Sequence, residues 1–270
     1  MSGYGLALDP TGDIYFTTGN TASGTYGSAT NIAESAVRMS GALTNVVDFF
    51  TPSDHDTMDS KDNDYGSGGL LVLPDQPGMF PHLAIAAGKD GRMFILNRDD
   101  MGKLASPDFP QNVSIGSCWC GPSYFTSSAG PRVVSSGGMP LGSGWQNQVT
   151  TWSLTISGGK PALALVASSQ PLEANVQDPG FFTSVSSNGT TPNTAIIWAV
   201  GRAAGSSPYH VTLYAFNATP SGGVLPQLWS ESAGTWPNTG GNANIVPTVA
   251  NGRVYVASYK ELQIFGIGGR

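Results

Sequence analysis

The chain has 270 residues, enough for one large all-β domain or two small domains. Only 11% of residues are charged, while glycine (36) and proline (19) are abundant, which excludes a build of long solvated helices and favours short strands joined by turns. A net charge of −6 without a basic cluster excludes nucleic acid as a partner, and no apolar run approaches the roughly 20 residues of a membrane span.

Taken in chain order, residues 1–5 show neither the basic nor the apolar stretch of a signal peptide. Strands are predicted at 5–8, within 10–20, at 35–40 and at 46–50. Residues 51–68 read as an inserted loop, which carries five aspartates between Asp54 and Asp64. A strand follows at 70–73 and another within 88–98. The long loop 99–129 holds Cys118-Trp119-Cys120. A bridge across one intervening residue closes a very small loop, so the two cysteines read as unbridged thiols, with a redox role as the alternative. Further strands are predicted at 130–137, 149–157, 193–201, 211–219, 225–229, 245–249, 251–259 and 261–266, with an inserted loop at 170–190.

One unit recurs along this series: a Gly or Asn turn followed by an alternating strand rich in aromatic and β-branched residues. Its turns fall near residues 12, 90, 131, 194 and 252. Their mean spacing is about 60 residues, against roughly 40–50 for a four-stranded propeller blade, and the inserted loops take up the excess. A β-sandwich also has many short strands, but it does not repeat one aromatic hairpin five times. The fold class predicted is therefore all-β, a single β-propeller domain over residues 1–270. It has about five four-stranded antiparallel blades and about nineteen strands, the last blade lacking its outer strand. That missing strand implies a piece of a seven- or eight-bladed parent, cut just before a blade starting near Gly3. Any export signal would then be lost with the missing part. Unpaired edges at the opening are a solubility hazard.

Three segments, in this order, carry a resemblance to a known family. The first is residues 87–98, continuing into Asp100-Met101-Gly102-Lys103. The second is Leu213-Tyr214-Ala215-Phe216-Asn217-Ala218-Thr219, running on to Trp229. The third is Asn251-Gly252-Arg253-Val254-Tyr255-Val256. Together they resemble the repeats of pyrroloquinoline-quinone (PQQ) binding propellers, the second being a degenerate tryptophan-docking repeat with Asn217 in place of Asp. The resemblance implies an oxidoreductase of the quinoprotein type, in a periplasmic or extracellular setting. PQQ and Ca²⁺ would sit over the propeller axis, with an alcohol or sugar as substrate.

The resemblance also implies site residues. Thr18-Gly19-Asn20 matches the family's Thr-Gly-Asn, whose Asn gives an oxygen to Ca²⁺; the competing role for Asn20 is to make the turn. His55-Asp56-Thr57-Met58-Asp59 matches the spacing of His-Asp-x-Trp-Asp, with Met58 for Trp. This assigns Asp59 as catalytic base and metal neighbour, with Asp62 and Asp64 as rivals and Asp64 as a further metal ligand. The alternative is a solvated acidic loop, while an EF-hand is disfavoured because Tyr65 follows Asp64. Lys89 matches the cation that donates to the quinone oxygens; the alternative is an exposed turn lysine beside Asp90. The family's glutamate ligand and adjacent-cysteine pair lie in upstream blades, so at most half of such a site is expected.

Other chemistry finds no support in the sequence. His55, His82 and His210 lack zinc spacing, and no Gly-x-Ser-x-Gly elbow occurs. Asn112, Asn188 and Asn217 head glycosylation acceptors that matter only in a eukaryotic secretory setting. The competing function is a non-catalytic propeller that binds a protein partner as an assembly scaffold.

Overall fold

The computed structural model describes residues 4–22, 24–28, 30–104, 111–141, 144–173, 179–238 and 244–266. Gly3, the expected start of the first blade, lies outside them. The fold is all-β, with 53% strand against 4% helix. Contacts divide the chain into two compact units, one built from residues up to Pro122 with Thr155–Leu163, the other from Ser123–Leu154 and from Ala164 onward.

In the first unit, β1 (Ala7–Leu8), β2 (Ile14–Thr17), β3 (Ala36–Met39) and β4 (Val46–Thr51) form an antiparallel meander. A short helix α1 (His55–Lys61) and one 3-10 turn (Tyr65–Ser67) lead into the next sheet. That sheet is β5 (Gly69–Val72), β6 (Leu83–Ala87), β7 (Arg92–Asn97) and, after the two-residue β8 (Lys103–Leu104), β9 (Gln111–Ser114). β8 joins the edge of the first sheet, parallel to β4. Tyr15, Phe50, Met58, Tyr65, Leu70 and Phe94 belong to one buried cluster. Tyr65 is its centre: it meets Phe94 edge-on at 5.5 Å and Phe50 at 6.5 Å between ring centroids.

In the second unit, apart from residues 155–163 of the first of them, three sheets follow the same consecutive order. The first is β10 (Ser123–Ser127), β11 (Gly130–Leu141), β12 (Gly144–Ser157) and β13 (Lys160–Ser168). The second is β14 (Phe182–Ser186), β15 (Ile196–Ala204), β16 (Tyr209–Asn217) and β17 (Gln227–Trp236). The third is β18 (Thr248–Ala250), β19 (Arg253–Ser258) and β20 (Glu261–Gly266), three strands among the described residues. β16 shows why these segments are strands: buried and half-buried side chains alternate along most of it, the period-2 signature of a sheet. The β18–β19 turn places Asn251 and Gly252 at positive φ (51° and 71°), as a two-residue hairpin requires. Trp229 docks edge-on against Phe265 of the last sheet at 5.4 Å.

The recurring turn-and-strand unit is the second strand of its sheet at β2, β11, β15 and β19, but the third at β7. The repeat is therefore one strand out of phase at residue 90. The strand that was missed is β6, Leu-Ala-Ile-Ala-Ala, which is buried along its whole length and so carries no polar alternation. Two other expectations are corrected. Residues 55–61 are helical rather than loop: Asp62 closes α1 in the left-handed conformation (φ 56°), its N–H directed to Asp59 O. Cys118 and Cys120 are not unbridged thiols but a disulfide, their Cα atoms 5.1 Å apart, inside the usual range for a bridge.

Candidate functional site

Four segments far apart in sequence meet at the Tyr65–Ser67 turn, at one end of the first unit's two sheets. The turn packs without room for side chains. A Cβ on Gly66 would lie 2.5 Å from Gly19 N, and one on Gly68 would lie 1.7 Å from Ala87 O. These glycines bring the loop after β2 and the end of β6 directly onto the turn. The third contact is electrostatic. Glu34, just before β3 and fully buried, accepts the Tyr65 N–H at 2.5 Å through Oε2, while its own N–H reaches Gly19 O at 3.1 Å.

Burial pushes the Glu34 carboxyl up to about 8, the Tyr65 N–H opposing this and the charges of Asp64 and Asp59 adding to it. Glu34 therefore carries its proton at neutral pH. Glu34 Oε1 and Asp59 Oδ1 meet no N–H or other donor, and a proton on Glu34 hydrogen-bonded to Asp59 satisfies both. Asp64 Oδ1 is likewise buried and without a donor. Tyr65 is fully buried, and its hydroxyl makes no hydrogen bond. Burial, with the charge of Asp90 behind it, drives its pKa far above the ordinary tyrosine range.

Lys89 is the fourth arm. Its N–H donates to Asp64 O at 3.1 Å, and its Nζ reaches Asp62 Oδ2 at 2.8 Å and Asp64 Oδ2 at 3.2 Å. Nζ also lies 4.8 Å from the centroid of the Trp119 ring, a cation–π distance. Burial works against the ammonium, but the hydrogen bonds to Asp62 and Asp64 outweigh it and raise the Lys89 pKa. The Lys89 bond in turn lowers that of Asp62. Ser117 Oγ donates to Lys89 O at 2.8 Å, so the segment carrying the Cys118–Cys120 disulfide is tied to the lysine backbone.

Helix α1 is clamped from β7. Arg92 Nη2 reaches Asp54 Oδ1, the residue heading the helix, at 3.0 Å, and lies 3.3 Å from Met58 Sδ, while its Nε pairs with Asp90. Asp90 is nearly buried, and burial raises its pKa against the opposing charge of Arg92. The Asp-rich segment is thus neither free nor simply solvated. Asp54, Asp62 and Asp64 face cations, Asp59 faces Glu34, and Asp56 is exposed.

The structure therefore brings Asp62, Asp64 and Lys89 into direct contact, with Asp59 beside Glu34. Asn20 is exposed one residue beyond the Gly19 contact. His55, the first residue of the matched motif, stacks on Tyr26 at 4.2 Å and takes no part in the carboxyl cluster. Among the described residues, no three His, Cys, Asp or Glu side chains form a group that could hold a metal ion. Sequence reasoning missed Glu34 and Trp119. Glu34 had a signal: it is one of four glutamates in the chain, placed between Ala33 and Ser35 where an apolar strand begins. A comparison with protein-family models gives no match, and neither does a comparison with curated protein sequences.

Proposed function

We propose that the sheets are blades of a quinoprotein-type β-propeller, and that the Tyr65–Ser67 end of the first unit is its cofactor-facing end. One observation carries this reading: Lys89, Asp64 and the backbone of the 18–20 loop, separated by up to 71 positions in the sequence, converge on one glycine-closed turn. The donor chemistry suits a hard cation. Asp59 Oδ1 and Asp64 Oδ1 are buried carboxylate oxygens, the type of ligand calcium takes. Asp59, Asp64 and Asn20 would hold the ion.

Held there, PQQ and calcium would supply a hydride acceptor for an alcohol or sugar and a cation to polarise the quinone. The chain's own groups have separate tasks. Lys89 places a positive charge where negative charge develops, and its position against Trp119 keeps that charge partly out of water, which strengthens it. Asp59, with Asp64 as rival, accepts the substrate hydroxyl proton. The Cys118–Cys120 bridge supports a periplasmic or extracellular setting, because disulfides persist in oxidising compartments.

A second reading, a non-catalytic propeller that serves as a scaffold for a protein partner, is favoured by the state of Lys89. Its ammonium is already held by two carboxylates. The two readings separate in one assay: dye-linked oxidation of a panel of alcohols and sugars by the protein supplied with PQQ and Ca²⁺. Turnover that is lost in Asp59→Asn or Asp64→Asn supports the oxidoreductase. No turnover on any substrate supports the scaffold.

A further inference from the structure

Asparagine followed by glycine occurs twice in the chain, at Asn188-Gly189 and at Asn251-Gly252. The pair carries a reaction of its own. The glycine nitrogen can attack the asparagine side-chain carbonyl carbon, because no Cβ on the glycine shields it. Ring closure needs an accessible side chain and a glycine N–H free of hydrogen bonds. It also needs a backbone that can bring the asparagine Cβ round to the same side as that nitrogen. The two sites differ most in the last requirement.

Asn251 is blocked. At φ 51° it lies in the left-handed region, where Cβ stands nearly opposite the Gly252 nitrogen across the Cα–C bond. The β18–β19 hairpin holds it there, with Ala250 paired to Arg253 and Val249 to Val254. Rotation into the reactive geometry has to open those pairs. Asn188 meets no such block. It lies in the longer connection between β14 and β15, residues 187–195, and Asn188, Gly189 and Thr190 are all exposed. Asn188 is not among the residues at positive φ. Among the described residues, neither its side chain nor the Gly189 N–H makes a hydrogen bond. A Cβ built on Gly189 would meet nothing within 4 Å, so the nitrogen is open to solvent. The turn is held lightly, at the surface. Thr191 N–H donates to Asn188 O at 3.1 Å, and Asn188 N–H donates to Thr194 Oγ1 at 3.1 Å.

We propose that Asn188 is a site of spontaneous deamidation, with water as the only co-reactant. Gly189 N gives up its proton to solvent and bonds to Asn188 Cγ. The Cγ–Nδ2 bond breaks, and Nδ2 takes up a proton and leaves as ammonia. Water then opens one of the two C–N bonds of the cyclic imide. Opening at Cγ gives aspartate, opening at the main-chain carbonyl gives isoaspartate, and no electrons are transferred. Both products carry a new negative charge. In isoaspartate the main chain is also longer by one carbon, and the carbonyl that accepts the Thr191 N–H becomes a side-chain carboxylate, so the turn loses its register. The site does not depend on the reading of the Lys89 end.

The test is incubation of the protein in mildly alkaline buffer at physiological temperature, followed by peptide mapping with mass spectrometry that separates aspartate from isoaspartate. Both acids should accumulate at Asn188 at least about tenfold faster than at Asn251, the equivalent of the backbone hydrogen bonds that must open to release Asn251. In urea, where the hairpin is gone, that gap should close. Gly189→Ala places a methyl beside the attacking nitrogen, in an exposed turn with open space around it, and should slow the reaction at Asn188. An Asn188 that stays intact, equal rates at the two sites in the folded protein, a gap that persists in urea, or an unchanged rate in Gly189→Ala would each overturn the proposal.

Discussion

Replacing Glu34 with glutamine keeps the shape of the side chain and removes its titration. In the folded chain Glu34 holds its proton up to about pH 8, against an ordinary value of 4.5. Between those values folding takes up a proton, so the stability associated with Glu34 is fully present below about pH 4.5 and is lost as pH rises towards 8. At pH 7 the unfolded carboxyl is about 2.5 units past its own pKa, and at 1.36 kcal/mol per unit the native state is penalised by about 3 kcal/mol. Glutamine escapes this penalty. Its carbonyl accepts the Tyr65 N–H as Oε2 does, and its NH₂ donates to Asp59 as the Glu34 proton does. Glu34→Gln is therefore expected to be more stable than the parent by about 3 kcal/mol at pH 7, with the gap narrowing at lower pH and widening at higher pH. Urea denaturation at about pH 5, 7 and 9, with EDTA present so that no divalent cation competes for the carboxyl, measures the gap directly. Parallel stabilities of parent and variant across that range would refute the assignment of a buried, protonated Glu34.

Three further outcomes follow from the same end of the molecule. Gly68→Ala drives a methyl into Ala87 O and should destabilise the protein by at least about 3 kcal/mol in thermal or urea unfolding. Tyr65→Phe removes a buried hydroxyl that has no partner and keeps the ring contacts, so it should raise stability by about 1 kcal/mol. Cys118→Ser opens a bridge that closes a very short loop, so stability should change little, but the surroundings of Trp119 are released. A shift in tryptophan emission without a comparable loss of stability is the expected signature.

The strands of this protein were legible where one face is buried and the other is wet. β2, β16 and β19 alternate, and their turns carry Gly or Asn at the positions that need positive φ. β6 was not legible, because burial on both faces erases the alternation and leaves a short apolar run. Its loss shifted the second sheet by one strand without changing the fold class. The helix over His55–Lys61 was hidden by its Asp-rich composition: what stabilises it is tertiary, the clamp of Arg92 on Asp54 and the burial of Met58. At the candidate site, the density of aspartates in a chain with little charge drew attention to Asp62 and Asp64, whereas Lys89 entered only through the family resemblance. Glu34 was missed, since a single acid beside an apolar strand shows its weight only when the Tyr65 turn folds over it.

The proposal that the Tyr65–Ser67 end faces a cofactor is tested most directly by titrating the protein with PQQ in the presence and absence of Ca²⁺ and following quinone absorbance. The proposed function predicts calcium-dependent binding that is weakened at least about tenfold in Lys89→Ala, the loss of one charge-assisted contact. Absence of binding with calcium present, or binding equal in Lys89→Ala, would contradict it.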